Sequence, residues 1–298
     1  MIADLMKLPG AEYVRANLYK WPALRSLAVA YCFPVEKQLV RGRHKAKSDH
    51  PSIIHFSINK AATQYVRNVL MLCAEENSLT PVQFNQFAWM TNTTFMDRMS
   101  REEFETYKRV FSTRGYCYTV FARMVEGIPD LDTYKKILVV RDPRDILTSH
   151  YFSQAYSHPL PADPDKAEAF LSNREKVRQK TIEEFVVDFS DRVAEVFDGY
   201  MKHLIGRDNL HVARYEDMIT DFPSWLDDLL GFCALQISDR TRTRLIETSA
   251  GSVPAGQRPD HKRRQVVPGD HRRKLQPETI EVLNERFGPA LDCFGYAR

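Results

Sequence analysis

A chain of 298 residues, 43% apolar and 27% charged, has the make-up of an ordinary globular protein and is long enough to bury a large core. Its net charge of +3 excludes a global field that would draw it to nucleic acid or an anionic membrane, so only local clusters of charge matter. No apolar run approaches the roughly 18 residues that a membrane-spanning helix needs.

Residues 1–50 mix aromatic and basic side chains without a clear period. They read as an N-terminal extension closed by the polar linker Arg-Gly-Arg-His-Lys-Ala-Lys-Ser-Asp, ahead of a single domain over 51–298. The start lacks the charge pattern and cleavage site of a signal peptide. The five cysteines, Cys32, Cys73, Cys117, Cys233 and Cys293, show no Cys-x-x-Cys spacing. Cys73, Cys117 and Cys233 sit among apolar residues as small hydrophobes, and a reducing, cytoplasmic setting is the expectation.

Four short apolar runs follow: Ser-Ile-Ile-His-Phe from residue 52, Gly-Tyr-Cys-Tyr-Thr-Val-Phe from 115, Lys-Ile-Leu-Val-Val-Arg from 136, and Asn-Leu-His-Val-Ala-Arg-Tyr from 209. Such β-branched and aromatic runs, bounded by turns, fit buried strands of a parallel sheet. The helices between them are better marked. Val66, Val69, Leu70 and Cys73 share one face, and Thr181 and Glu184 form a capping box ahead of a stripe from Ile182 to Leu204. A short helix is expected to end near Gly231, and a last one to begin at Pro277 and stop at Gly288-Pro289. Strands alternating with helices predict an α/β fold, with a central parallel sheet covered by helices on both faces.

In such a sheet, ligands bind beyond the carboxyl ends of the strands, where helices begin. The stretch Ile-Asn-Lys-Ala-Ala-Thr-Gln-Tyr (58–65) occupies such a turn. Lys60 supplies a charge, Thr63 a hydroxyl, and the small Ala61 and Ala62 let the backbone approach an anion. The first amides of the helix add donors and a positive dipole end. A nucleoside-triphosphatase loop would read Gly-x-x-x-x-Gly-Lys-Ser/Thr. Here there is no glycine between Gly42 and Gly115, and Ala61 follows the lysine, so no hydroxyl is set for magnesium and no metal-ligand cluster is visible.

A second strand-to-helix passage, Val-Val-Arg-Asp-Pro-Arg-Asp-Ile-Leu-Thr-Ser-His-Tyr-Phe (139–152), carries Arg141 at the strand end and Ser149 eight residues on. Arginine offers a planar fork of donors suited to phosphate. Eight helical residues span about 12 Å, so both reach one anion only if Arg141 leans across the helix start. Two anion-ready turns in one sheet suggest a ligand with two separated phosphate-like groups.

The order of these pieces resembles the PAPS-dependent sulfotransferase family (PAPS is 3′-phosphoadenosine-5′-phosphosulfate). The pieces are Lys60-x-x-Thr63, the Arg-Asp-Pro-Arg-Asp block with its Ser149, Arg-Tyr-Glu-Asp-Met from 214, and a basic loop with Pro-Gly-Asp before a terminal helix. The resemblance spans roughly residues 52–296. It implies the phosphate-loop-like fold of that family, with PAPS as donor and 3′,5′-adenosine bisphosphate as product. It places Lys60, Ala61, Ala62, Thr63, Gln64 and Tyr65 at the 5′-phosphosulfate, with Lys60 catalytic. Arg141 and Ser149 fall at the 3′-phosphate, and Tyr215 near the nucleotide. In the basic stretch 258–274 it implies that Gly269 and one of Arg263 and Arg264 close over the 3′-phosphate, although the family's first glycine is missing and His271 stands where a tryptophan is usual.

The family's usual base, a histidine after the strand preceding the Arg-Asp-Pro block, is absent, since no histidine lies between His55 and His150. Glu126 is the nearest carboxylate to the vacant place, and His158 is the second candidate, in a loop beside the expected acceptor pocket. The segments 79–112, with Phe84, Phe87, Trp89 and Phe95, and 153–175, with Tyr156, are the expected pocket walls. A sugar, a phenol or a lipid head group would suit them as sulfate acceptor, with no nucleic-acid partner and no membrane span. The other reading that stays open is a non-catalytic protein of the same fold gripping a nucleotide or polyanion through residues 258–274. A kinase reading is opposed by the missing glycines.

Overall fold

The computed structural model describes residues 22–158, 160–161, 164–250 and 267–298. Two N-terminal helices, α1 (Pro22–Cys32) and α2 (Pro34–Val40), precede the sheet. Leu39 of α2 enters the main core, and buried Glu36 accepts the Gln83 amide at 2.6 Å. A side chain on Gly115 would meet Ala46 Cβ at 2.5 Å, so this positive-φ glycine lets the 46–48 segment lie flat on the domain.

The elements then alternate. They are β1 (Ile53–Ser57), α3 (Thr63–Glu76), β2 (Thr80–Val82), α4 (Phe84–Thr91), α5 (Arg101–Tyr107), β3 (Tyr116–Phe121), β4 (Lys135–Val140) and α6 (Pro143–Phe152). A single π-helical turn (Ser153–Ser157) leads to α7 (Pro164–Arg178), α8 (Ile182–His203), β5 (Leu210–Arg214) and α9 (Tyr215–Thr220). The chain ends with α10 (Phe222–Cys233), α11 (Asp239–Ala250), α12 (His271–Lys274) and α13 (Pro277–Phe294).

All four expected strands form, and with β2 they make one parallel sheet ordered β2-β3-β1-β4-β5. Strands β1 and β4 are wholly or almost wholly buried, as their unbroken apolar runs require. The chain leaves β1 toward β2 on one side and β4 toward β5 on the other. The crevice above this adjacent pair is therefore the switch point where ligands bind in open α/β sheets.

The helix expectations hold with two corrections. The capping box at the start of α8 is present, with Thr181 Oγ1 accepting the Glu184 amide and Glu184 accepting the Thr181 amide, and its stripe packs on the core through Phe185, Val193, Phe197 and Tyr200. Helix α10 runs past Gly231 to Cys233 and ends on the left-handed Ala234. Helix α13 does not stop at Pro289 but continues to Phe294, capped by positive-φ Gly295. Proline removes one backbone donor there, and burial of Ala290, Leu291 and Phe294 on the next turn offsets the loss. Cys73, Cys117 and Cys233 are buried and free, and burial pushes the Cys73 and Cys233 thiols up to about 12. Among the described residues no helix is long and apolar enough to cross a membrane.

Candidate functional site

The β1–α3 turn is held open by its own backbone. Lys60 and Ala62 both take positive φ, 77° and 53°, and the tight path is braced from within. The Ala61 amide bonds the Ile58 carbonyl at 3.3 Å, and Thr63 Oγ1 donates to the same carbonyl at 3.1 Å and meets Ser57 Oγ at 3.1 Å. The amides of Ala62, Thr63 and Gln64 have no backbone acceptor among the described residues, and they stand at the positive end of α3. Two expectations change here. Ala61 is fully buried and its amide is spent inside the turn, so it does not face the cavity. The Thr63 hydroxyl likewise braces the turn instead of projecting from it, although the residue does line the cavity.

Arg141 joins the two turns. Its side chain is only 6% exposed, and its Nη1 donates to the Lys60 carbonyl at 3.0 Å. The guanidinium lies over the Tyr215 ring at 4.4 Å, and its Nη2 is 3.8 Å from Asp145. Its Nε is buried with no partner among the described residues.

Above these turns opens a cleft of about 1370 Å³. Lys60, Ala62, Thr63, Gln64, Tyr65, Arg141, Ser149 and Tyr215 all line it. On one side its walls come from α9 to α11, with Met218, Phe222 and Ile246. On the other they come from α6, the π turn, α7 and α8, with Phe152, His158, Phe170 and Phe189. The segment 79–112 takes no part: Phe84 is buried and stacks on Tyr118 at 6.5 Å, covering the sheet as core.

The two expected bases separate. His158 lines the cleft, with its ring stacked on Phe170 at 5.3 Å and its Nδ1 3.5 Å from Ser153 Oγ. Glu126 does not line it. Its side chain is 73% exposed, 3.5 Å from His203 Nε2, and it borders a separate depression with Asp130 and Arg207. The glutamate belongs to the β3–β4 connection, none of whose residues lines the cleft.

His150, next to Ser149 in sequence, also lines the cleft. Its ring packs on Phe189 at 5.1 Å, and neither ring nitrogen has a hydrogen-bond partner among the described residues. Burial, then the charge of Lys60, then that of His158 lower its pKa to about 3, so the imidazole is neutral.

Asp145, four residues after Arg141, is the second residue the sequence did not mark. Its carboxylate is buried and accepts from the Gly269 amide at 2.8 Å, the His271 amide at 2.9 Å and His271 Nδ1 at 2.7 Å. It thereby pins Gly269 and the Pro-Gly-Asp loop against the second turn. Arg263 and Arg264 lie outside the described residues. Burial would raise the Asp145 pKa, but the His271 hydrogen bonds and the Arg141 charge overcome it and hold the carboxyl down to about 2.

The arrangement can hold an anionic ligand at two points, one at the Lys60 turn and one between Arg141 and Ser149, within a cleft whose far wall carries Phe152, Phe170, Phe185 and Phe189. Two solved structures share the architecture. One is mouse sulfotransferase SULT7A1 complexed with PAP, at 16% identity and a TM-score of 0.55 over 86% of this chain and 89% of that one. The other is retinol dehydratase in complex with androsterone and inactive cofactor PAP, at 14% identity and 0.50 over 80% of each chain. No curated protein matches in sequence. The sequence profile described as the sulfotransferase domain matches residues 125–295, from the connection before β4 to the end of α13. That span carries Arg141, Asp145, Ser149 and the loop that Asp145 holds, and with it the chain belongs to the sulfotransferase domain family.

Proposed function

We propose that this protein moves the sulfuryl group of PAPS to a hydroxyl or amine of a small-molecule, lipid or carbohydrate acceptor. The observation that carries the reading is Arg141, which lines the cleft and bridges the two anion turns through its bond to the Lys60 carbonyl. A single phosphate site would not need that bridge. PAP in the two solved relatives adds support, and the five free cysteines agree with a cytoplasmic setting.

When bound, PAPS supplies the sulfuryl group and a phosphate leaving group. Lys60 and the amides of Ala62, Thr63 and Gln64 would hold the 5′ end and would stabilise negative charge developing there. Arg141 and Ser149 take the 3′-phosphate, Tyr215 backs Arg141, and Gly269 belongs to the loop that closes this end. His150, with His158 beside it, would take the proton of the acceptor's hydroxyl or amine. Burial is the main reason the His150 pKa is low, and pairing of Lys60 with an anion would offset only the smaller, positive-charge part of the shift.

Calorimetric titration with 3′,5′-adenosine bisphosphate against ADP and ATP tests the reading. Binding that requires the 3′-phosphate is the expected result. Equal affinity for all three would move the assignment to a non-catalytic nucleotide- or polyanion-binding protein.

A further inference from the structure

The cleft side walled by α6, α7 and α8 has a composition that the donor does not explain. Four phenylalanines, Phe152, Phe170, Phe185 and Phe189, form its apolar lining, and the last two stack at 5.4 Å. At its rim stand three cations, Lys176, Lys180 and Arg192, against one carboxylate, Asp188. That carboxylate is already paired with Lys180 at 2.5 Å. Lys176 and Arg192 have no carboxylate partner among the described residues, and the Arg192 guanidinium rests over the Phe189 ring at 5.4 Å.

We propose that this side is the acceptor subsite, and that its acceptor has an aromatic or apolar body carrying an anionic group of its own, a carboxylate, sulfate or sulfonate. The inference rests on the sulfotransferase reading for the word acceptor, while the ligand class rests on the walls alone. The phenylalanine rings take the apolar body out of water. Arg192, whose guanidinium lies over Phe189, can offer its fork of donors to an anion, and Lys176 adds a point charge from α7. A neutral sugar would leave both cations without a partner and would bring few apolar surfaces to the rings. The donor's two phosphate ends are accounted for at Lys60 and at Arg141 with Ser149, so they do not call for these cations.

The full-length protein, saturated with 3′,5′-adenosine bisphosphate, is titrated with two fluorescent probes. These are 8-anilinonaphthalene-1-sulfonate and its uncharged analogue N-phenyl-1-naphthylamine. The sulfonate probe should bind about tenfold more tightly, since two exposed cations each add a modest attraction. The double variant Lys176→Ala/Arg192→Ala should remove that preference and leave the neutral probe and the bisphosphate affinity unchanged. Equal binding of the two probes by the parent protein overturns the proposal, as does a preference that survives the double substitution. A sulfonate preference present in the free protein but lost on saturation with the bisphosphate also overturns it, because the cations would then serve the nucleotide. Failure of the bisphosphate itself to bind, with the probe preference intact in the free protein, would strike the sulfotransferase reading and leave the anionic subsite standing.

Discussion

Asp145 and His271, 126 residues apart in sequence, meet at 2.7 Å in the interior, and the same carboxylate takes the amides of Gly269 and His271. The Arg-Asp-Pro-Arg-Asp block thus does two jobs from one helix start. Arg141 faces the cleft, and Asp145 ties down the loop that borders it. Asp145→Asn keeps the shape but puts an amide NH₂ among three donors. We expect a loss of about 3 kcal/mol, the scale for breaking a buried, hydrogen-bonded charge, and at least roughly tenfold weaker binding of 3′,5′-adenosine bisphosphate. Denaturant unfolding and calorimetry report the two effects. A variant that melts and binds like the parent would show the clamp to be idle.

That clamp marks the boundary of what the sequence discloses. β1, β3, β4 and β5 are legible because each is a run of β-branched and aromatic residues, whereas Thr80–Val82 is three residues long with Pro81 in the middle and carries no periodic signal. The Lys60 and Arg141 turns are legible because a strand end, a cation and small or capping residues fall within a few positions. The cleft walls are not, since which helix covers which face depends on the crossovers. Phe84 therefore went to the core, while Phe170 and Phe189 line the cleft. Asp145 reads as a first-turn acid that favours the α6 dipole, a complete local explanation that hides its long-range role.

The two turns should separate in kinetics. Lys60→Ala removes a charge needed where the leaving oxygen develops its own, so turnover should fall by about 10²–10³ with little change in nucleotide affinity. Arg141→Lys keeps the charge but loses the fork that reaches both the Lys60 carbonyl and the cleft. Its main effect should be loss of the preference for 3′,5′-adenosine bisphosphate over 5′-AMP, by about tenfold or more. Single-turnover rates and calorimetry on both variants decide. Unchanged turnover in Lys60→Ala would remove the lysine from the chemistry.

His55 gives the fold a built-in acid sensitivity. It is wholly buried in β1, both ring nitrogens lack partners among the described residues, and burial, with a smaller push from Arg67, lowers its pKa to about 3. The unfolded chain, with an ordinary histidine near 6.5, binds the proton more readily. This contribution is therefore fully present above about pH 6.5 and declines as the pH falls toward 3, by an amount on the order of 4 kcal/mol. His55→Leu should be near neutral at pH 7.5 and should flatten the fall in stability between pH 6.5 and 4. Urea unfolding at several pH values tests it, and parallel curves for the two proteins would count against the buried histidine as the cause.

His150 offers the most direct view of the electrostatics at the site. Burial and the neighbouring Lys60 and His158 charges all oppose its protonation and lower its pKa to about 3, so its imidazole should stay neutral throughout the range where an exposed histidine titrates. Following the Hε1 resonance by NMR, assigned through His150→Gln, should show a midpoint well below 6. Lys60→Ala removes one positive neighbour and should move that midpoint up. Saturating 3′,5′-adenosine bisphosphate should move it the same way, because added negative charge favours the imidazolium. The two shifts should not add fully, since both act through the charge on Lys60. A midpoint near 6.5 that ignores both changes would mean that His150 does not sense the anion turn, and the role of proton acceptor would pass to His158.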